Sequence, residues 1–292
     1  MNWSELLVSI LFTGTAYAMV LYVISVGLSV TMGLLGIANL AHGAFAMAGG
    51  YLLIEMLTRL SLPFAVALAA AGLIVAAASV VLERLLYRRV YESGEFDQVL
   101  LSIGIIFVAS AVVQYVYGPM ARSVTVPAAF GGGIELGGRS FPLYRLFLIA
   151  VGVATFVALL VSIEKTSIGV RIRATVDNRA MAESIGINTS ALFSVVFAFG
   201  SGLAAIGGGL GADMIPVAPG YPLEHLAYFL IVVSVGGLGT VSGPFAAALL
   251  LGIGDSACKI LVPEFGAFFV YVAVFVVLLI RPQGLFGRLQ VQ

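Results

Sequence analysis

Charge is what this chain has least of. Lys and Arg number 14 and Asp and Glu 14, so charged residues make up 10% of the sequence, well below the roughly 25% of soluble domains. The formal net charge is zero, and no long-range field favours a nucleic acid or another polyanion as partner. A single cysteine, Cys258, permits neither an internal disulfide nor a cysteine metal cluster. With His42 and His225 as the only imidazoles, no catalytic metal site is expected. No G-x-x-x-x-G-K-[ST] run is present to cradle a nucleotide phosphate. Paired carboxylates are missing from the apolar runs, and Glu224-His225 is adjacent only in a connecting segment, so an enzyme is the least supported class.

Apolar residues fill the space that charge leaves. They make up 61% of the chain, with a mean hydropathy of +1.13, the composition of an integral membrane protein. Charge-free runs fall at about 6 to 33, 40 to 54, 62 to 82, 98 to 117, 146 to 163, 191 to 212, 226 to 254 and 265 to 280. The first lacks a basic n-region and is too long for a signal peptide, so it reads as a retained helix. The seventh is interrupted by Gly236, Gly237, Gly239, Gly243 and Pro244, which predicts two helices meeting at a break near Thr240. The expected fold is an all-α polytopic bundle of about eight or nine spans with glycine-interrupted helices. It forms one transmembrane domain over 1–292.

Basic residues orient such a bundle, because Lys and Arg gather on the cytoplasmic side. Arg84, Arg88 and Arg89 follow the third run; Lys165, Arg171, Arg173 and Arg179 follow the fifth; Arg281 and Arg288 lie in the tail. Placing these inside puts the N-terminus outside and the C-terminus in the cytoplasm, which requires an odd number of crossings. The segment from Ser123 alternates around glycines, a hairpin pattern. The segment from Asp213 holds Pro216, Pro219 and Pro222 and reads as a rigid outer cap. Gly200, Ala204, Gly208 and Ala212 form a small-residue stripe that lets helices approach closely. "GLLG…GAFA" from Gly33 is echoed by "GGLG…GPFA" from Gly236, a pairing of glycine-interrupted segments of the kind that lines transporter paths.

The long inside loop, at about 164–190, breaks the apolar pattern. Asp177 or Asn178 is placed to cap a short helix over Arg179 to Ile185, and Gly186 to end it with Ile187 folding back. Met181 and Ile185 share one face, flanked by Ala182. Such a knob suits either a protein groove or lipid headgroups.

Within that loop Thr166, Gly169, Arg173-Ala174, Asp177-Asn178, Ala182 and Gly186-Ile187-Asn188 stand in the order of a known motif. It closely resembles the cytoplasmic coupling loop of the branched-chain amino-acid ABC transporter permeases. "GLSVTMGLLGIANLAHGAFAMAGGYL" from Gly27 resembles that family's Asn-Phe-Ala-His-Gly signature. "GGLGTVSGP" from Gly236 and "RPQGLFG" from Arg281 resemble its other two motifs. Two positions depart: Ala44 follows His42-Gly43 where many members carry an acidic or small polar residue, and Tyr228 stands where many have Lys. Both put the exact solute in doubt.

The resemblance implies the smaller of two paired permeases, in the inner membrane of a bacterium. It further implies two cytoplasmic ATPases that use ATP and Mg, a second and larger permease, and a soluble solute-binding protein outside. The chain itself would hold no cofactor and touch lipid, not nucleic acid. The solute would be a branched-chain or other hydrophobic amino acid, or a urea-like or amide compound. The rival reading is a stand-alone secondary transporter or channel, against which the scarcity of intramembrane acid and base pairs counts; a non-transporting scaffold is a third.

Asn39 and His42 are the polar surprises in an apolar stretch. Three apart, they would share one helix side, with Gly43 leaving room for another backbone. They serve either as a polar clamp bonded to neighbouring helices or as solute contacts in the path. Gln114, Tyr228, Gly236, Gly239 and Thr240 join them as candidates for the path. Asp255 and Lys259 stand four apart and can neutralise each other at the outer end of their span.

Overall fold

The computed structural model describes residues 3–36, 39–91, 93–136, 139–281 and 283–286. Ile37 and Ala38 of the first motif, Gly137 and Gly138 of the expected hairpin, Pro282 and Arg288 lie outside them. The helices in order are α1 (Trp3–Leu35), α2 (His42–Thr58) and α3 (Phe64–Leu82), which passes through a π turn (Glu83–Tyr87) into α4 (Arg88–Val90). Then come α5 (Glu95–Tyr117), α6 (Leu143–Lys165), α7 (Ser167–Asp177), α8 (Arg179–Ser184) and α9 (Thr189–Gly211). The chain continues with α10 (Tyr221–Glu224), α11 (Leu226–Gly236), α12 (Ser242–Leu261) and α13 (Gly266–Ile280). A hairpin of β1 (Gly133–Leu136) and β2 (Arg139–Pro142) precedes α6, with Gly133 opposite Pro142.

Six of the described helices are long and apolar enough to cross a membrane: α1, α3 with its continuation, α5, α6, α9 and α12. The 17 residues of α2, 15 of α13 and 11 of α11 are shorter; at 1.5 Å per residue α11 rises only about 16 Å, half a hydrocarbon core.

Contacts between helix ends give the directions. At one end Arg145, opening α6, donates to Thr13 of α1 at 2.8 Å, and the Tyr144 hydroxyl donates to the Leu210 carbonyl near the close of α9 at 2.8 Å. There too Arg122, beyond α5, meets Glu55 near the end of α2 at 3.1 Å. At the opposite end the Ser29 hydroxyl of α1 donates to the Thr240 carbonyl at 2.9 Å, and Glu83 binds Ser194 at the start of α9. Thus α1, α3, α6 and α13 run one way and α2, α5, α9 and α12 the other. With the segment 213–236 taken as one passage, the described chain crosses nine times, so its first and last helices run the same way and the chain starts and finishes at opposite ends of the bundle.

That passage differs from the outer cap expected of it. Val217 pairs with Arg122 as an isolated bridge, but Tyr221 and Pro222 descend into the bundle until Pro222 lies against Gly43. Ile215, Val217 and Tyr221 bury their side chains. Non-helical backbone at membrane depth is tolerated only inside protein, and the prolines bring no N–H that would be left without an acceptor.

α9 is the axis, packed on α1, α2 and α3. Its small residues do what the stripe predicted: Gly200 meets the Gly27 backbone of α1, and Gly208 meets the Ala46 backbone of α2. On α2, Gly49 answers Ala205 in the same way. A methyl group at Gly208 would overlap the Ala46 carbonyl, so Gly208→Ala is expected to force the helices apart and cost about 1–3 kcal/mol. Gly104→Ala, on the open face of α5 with nothing within 4 Å, is expected to be neutral or to stabilise by about 0.5–1 kcal/mol through helix propensity. Thermal inactivation of the two purified variants, followed by size-exclusion chromatography, checks this; equal behaviour would refute the close-approach account.

Candidate functional site

α1 ends at Gly36, whose φ of +62° is ready for glycine and strained for other residues. Asn39 therefore precedes α2 instead of sitting on it, which corrects the expectation that Asn39 and His42 share a helix side. The two residues face different partners. His42, wholly buried, brings Nε2 to 2.7 Å from the Ile24 carbonyl of α1. A carbonyl only accepts, so Nε2 carries the proton, and Nδ1 is left without a hydrogen-bond partner among the described residues. Asn39 accepts from the Tyr87 hydroxyl at 2.8 Å through Oδ1, while its Nδ2 has no such partner. Gly43 meets the Pro222 backbone.

Tyr87 belongs to a polar group that the sequence reading did not pick out. The π turn of α3 rotates both Glu83 and Tyr87 inward, fully buried. Glu83 accepts from the Tyr91 hydroxyl at 2.7 Å and the Ser194 hydroxyl of α9 at 2.6 Å. Tyr87 also lies 3.4 Å from Ser102 of α5. Side chains thereby tie the continuation of α3 to α5, to α9 and to the segment before α2 at this end. The available signal was an acid closing an apolar run, followed by Tyr87 and Tyr91 at a spacing of four; the neighbouring arginines drew attention instead.

The glycine break lies at the same end. α11 stops at Gly236, Gly237 and Gly239 take φ of +102° and +75°, and α12 begins at Ser242. Thr240 donates its hydroxyl to the Gly237 carbonyl at 2.8 Å, and Gly239 lies against Gly33 of α1. The two halves of the internal echo, at Gly33 and Gly236, thus touch. The tail closes the arrangement, since Leu285 and Phe286 donate backbone N–H groups to Val235 and Gly236 at 2.7 and 3.1 Å. Three motifs far apart in sequence converge on one spot.

The inside loop forms two short helices beside it. Thr166 caps α7 by accepting from the Gly169 N–H at 3.2 Å. Gly169 packs on the Ile163 backbone, and Arg173 donates to the Ile163 carbonyl. Ala174, in the third turn of α7, accepts the Asn178 N–H at 3.1 Å. Asp177 ends α7, and the cap of α8 is Asn178, which accepts from the Met181 N–H at 2.9 Å. Gly186, at φ +89°, ends the turn as Ile187 donates to the Ala182 carbonyl at 3.0 Å. Ala182 is buried while Met181 and Ile185 are 65% and 70% exposed. Glu183 clasps the start of α9 by accepting from Thr189 at 2.5 Å and pairs with Arg179 at 3.1 Å. Thr189 and then Arg179 hold its carboxyl below the usual carboxylate range. A depressed value means that the clasp contributes fully above the ordinary carboxylate pKa and is lost only as pH falls through the lowered one.

Two candidates fall elsewhere. Gln114 is exposed on the outer face of α5 instead of pointing into the bundle, because α5 packs along its Gln98, Ser102, Ile106 and Val113 side. Tyr228 is half-buried at the start of α11, within electrostatic reach of Asp255 and Lys259 and not among the Asn39 and Tyr87 partners. Among the described residues no group of three or more His, Cys, Asp or Glu is placed to hold a metal ion.

The chain and its fold have counterparts among known proteins. LivH of Escherichia coli K12, a high-affinity branched-chain amino acid transport system permease protein, is 28% identical over 298 residues, covering 97% of this chain and 96% of its own. BraD of Pseudomonas aeruginosa, similarly described, is 26% identical over 308 residues, covering 100% and 98%. In the solved PsaBC complex from Streptococcus pneumoniae with a Fab, one chain superposes with a TM-score of 0.51 at 11% identity, over 92% of this chain and 89% of that one, a likeness of fold alone. The family model for the permease component of branched-chain amino acid transport systems matches residues 10–280, and this multi-pass membrane chain belongs to that family of transport permeases.

Proposed function

We propose that this permease is the membrane half-channel of an ATP-driven importer for hydrophobic amino acids. It lies in a bacterial inner membrane, with its N-terminus outside and its C-terminus in the cytoplasm. Two cytoplasmic ATPases supply hydrolysis of ATP with Mg, a second and larger permease completes the path, and a soluble binding protein delivers solute from outside. The observation that carries this reading is α8: a capped, six-residue helix that, with Ile185 just past its end, holds two large apolar side chains exposed. Exposing such side chains is unfavourable unless a partner covers them. They lie at the end of the bundle where the basic residues also gather, the expected cytoplasmic side.

A push on α8 has a short route inward. Glu183 passes it to α9 through Thr189, and Ser194 one turn further on holds Glu83 of α3. α9 in turn bears on α1 and α2 at glycine contacts that have no side chain to cushion them. ATP-driven approach of the ATPases would thus shift α9 against its neighbours and switch access to the path. Asn39 and His42 act here as the polar clamp that keeps the α1–α2 break in register.

Copurification from native membranes with quantitative mass spectrometry tests the assembly: a P-loop ATPase and a second permease should appear in near-equal amounts. Recovery of this chain alone, under conditions that preserve other membrane complexes, would favour the secondary-transporter reading. Met181→Asp or Gly186→Val should lower nucleotide-dependent uptake about 10- to 100-fold, the size of a typical coupling free energy, while the bundle still inserts; uptake at the original rate would sink the docking role. His42→Gln keeps a donor for the Ile24 carbonyl and should retain most uptake. Its complete loss of transport in a normally assembled complex would move His42 from clamp to path. Tyr87→Phe leaves the buried Asn39 carbonyl oxygen unpaired and should cost about 1–3 kcal/mol, read as a lower thermal inactivation temperature.

A further inference from the structure

The clamp and the coupling helices leave one buried ionic group unused. Asp255 on α12 is 2% exposed and meets Lys259, 55% exposed, at 2.7 Å through Oδ2. Its other oxygen, Oδ1, has no hydrogen-bond partner among the described residues. A buried carboxylate oxygen in that condition is uncommon and costly, and it asks for a donor. Lys259 Nζ stands 5.6 Å from the centre of the Tyr17 ring of α1. The hydroxyls of Tyr17 and Tyr228 are within electrostatic reach of the carboxylate. His225 stacks on Tyr221 at 4.5 Å and lies 6.3 Å from Tyr228, extending the aromatic wall. Asp255 sits six residues before the end of α12, roughly 9 Å down the helix, in the half of the bundle away from α8.

An i, i+4 pair that only stabilised a helix would leave both charges in water or satisfy both carboxylate oxygens. Here the acid is dry with a spare acceptor, the base is reachable, and the Tyr17 ring stands beside that base. That arrangement is complementary to a zwitterion. An ammonium group can donate to Oδ1 and lie against a tyrosine face, while a carboxylate can meet Lys259. Resting on the amino-acid reading above, we propose that Asp255 and Lys259, with Tyr17 and Tyr228, bind the charged head of the solute in the outer half of the path. A neutral amide or urea would have no use for this pair of charges.

The test uses the complete transporter, with its partner subunits and binding protein, in proteoliposomes supplied with ATP, and L-leucine as the probe. Asp255→Asn, Lys259→Gln and the double variant are compared with the wild type, with copurification of the partner subunits as the control for assembly. Each single variant should raise the KM for L-leucine about tenfold or more, the contribution of a hydrogen bond to a charged group, and the double variant should not recover. A purely structural ion pair predicts the reverse, because removing both charges together relieves the uncompensated one; a double variant with near-wild-type KM overturns the proposal. Wild-type KM in both single variants overturns it as well. Since Lys259 is exposed, Lys259→Gln remains informative if Asp255→Asn fails to assemble. If an assembled wild-type transporter moves no L-leucine, the amino-acid reading falls and this proposal with it, an outcome visible before any variant is made.

Discussion

Gly208 meets the Ala46 carbonyl, and Gly49 the Ala205 backbone, with no space between them for a methyl group. Most of the architecture follows from that proximity. Lipid offers no hydrophobic drive for helices to associate, so packing at close range must supply it, and α9 reaches α1, α2 and α3 only because small residues line its contact surfaces. Helices brought so near leave no volume for adjustment by side chains, and a displacement of α9 is transmitted backbone to backbone. The same constraint that holds the bundle together makes α9 a suitable carrier of motion from α8.

The irregular segments obey a second constraint, that no backbone polar group can be left bare in hydrocarbon. The break from Gly237 to Val241 and the descending chain before α11 both lie against other parts of the protein. Side chains do some of the satisfying: His42 on the Ile24 carbonyl and Ser29 on the Thr240 carbonyl. Several buried polar atoms nonetheless lack hydrogen-bond partners among the described residues, including His42 Nδ1, Asn39 Nδ2 and Asp255 Oδ1.

Much of the fold was legible in the chain because the relevant signals are local. Hydrophobic runs set the helices, the glycines from Gly236 to Gly243 set the split between α11 and α12, and Asn178 with Gly186 set the limits of α8 to within a residue. The four-residue spacing of Gly200, Ala204, Gly208 and Ala212 announced close packing. Less legible was anything that depended on rotation about a helix axis. Gln114 looked like a path residue but turned outward, and Glu83 and Tyr87 looked like part of a basic surface segment but a π turn carried them inward.

Composition and period by themselves determined the solvent, the approximate limits of the long apolar helices, and the presence of a capped helix in the long polar loop, since each depends on residues within a few turns of one another. Tertiary structure alone decided which groups meet. It brought the motifs at Gly33, Gly236 and Leu285 to one point, took the proline segment from the outer surface into the bundle, and left Asp255 dry beside an exposed Lys259. Those outcomes depend on how α9, α1 and α12 approach one another in space, and no window of sequence contains that information.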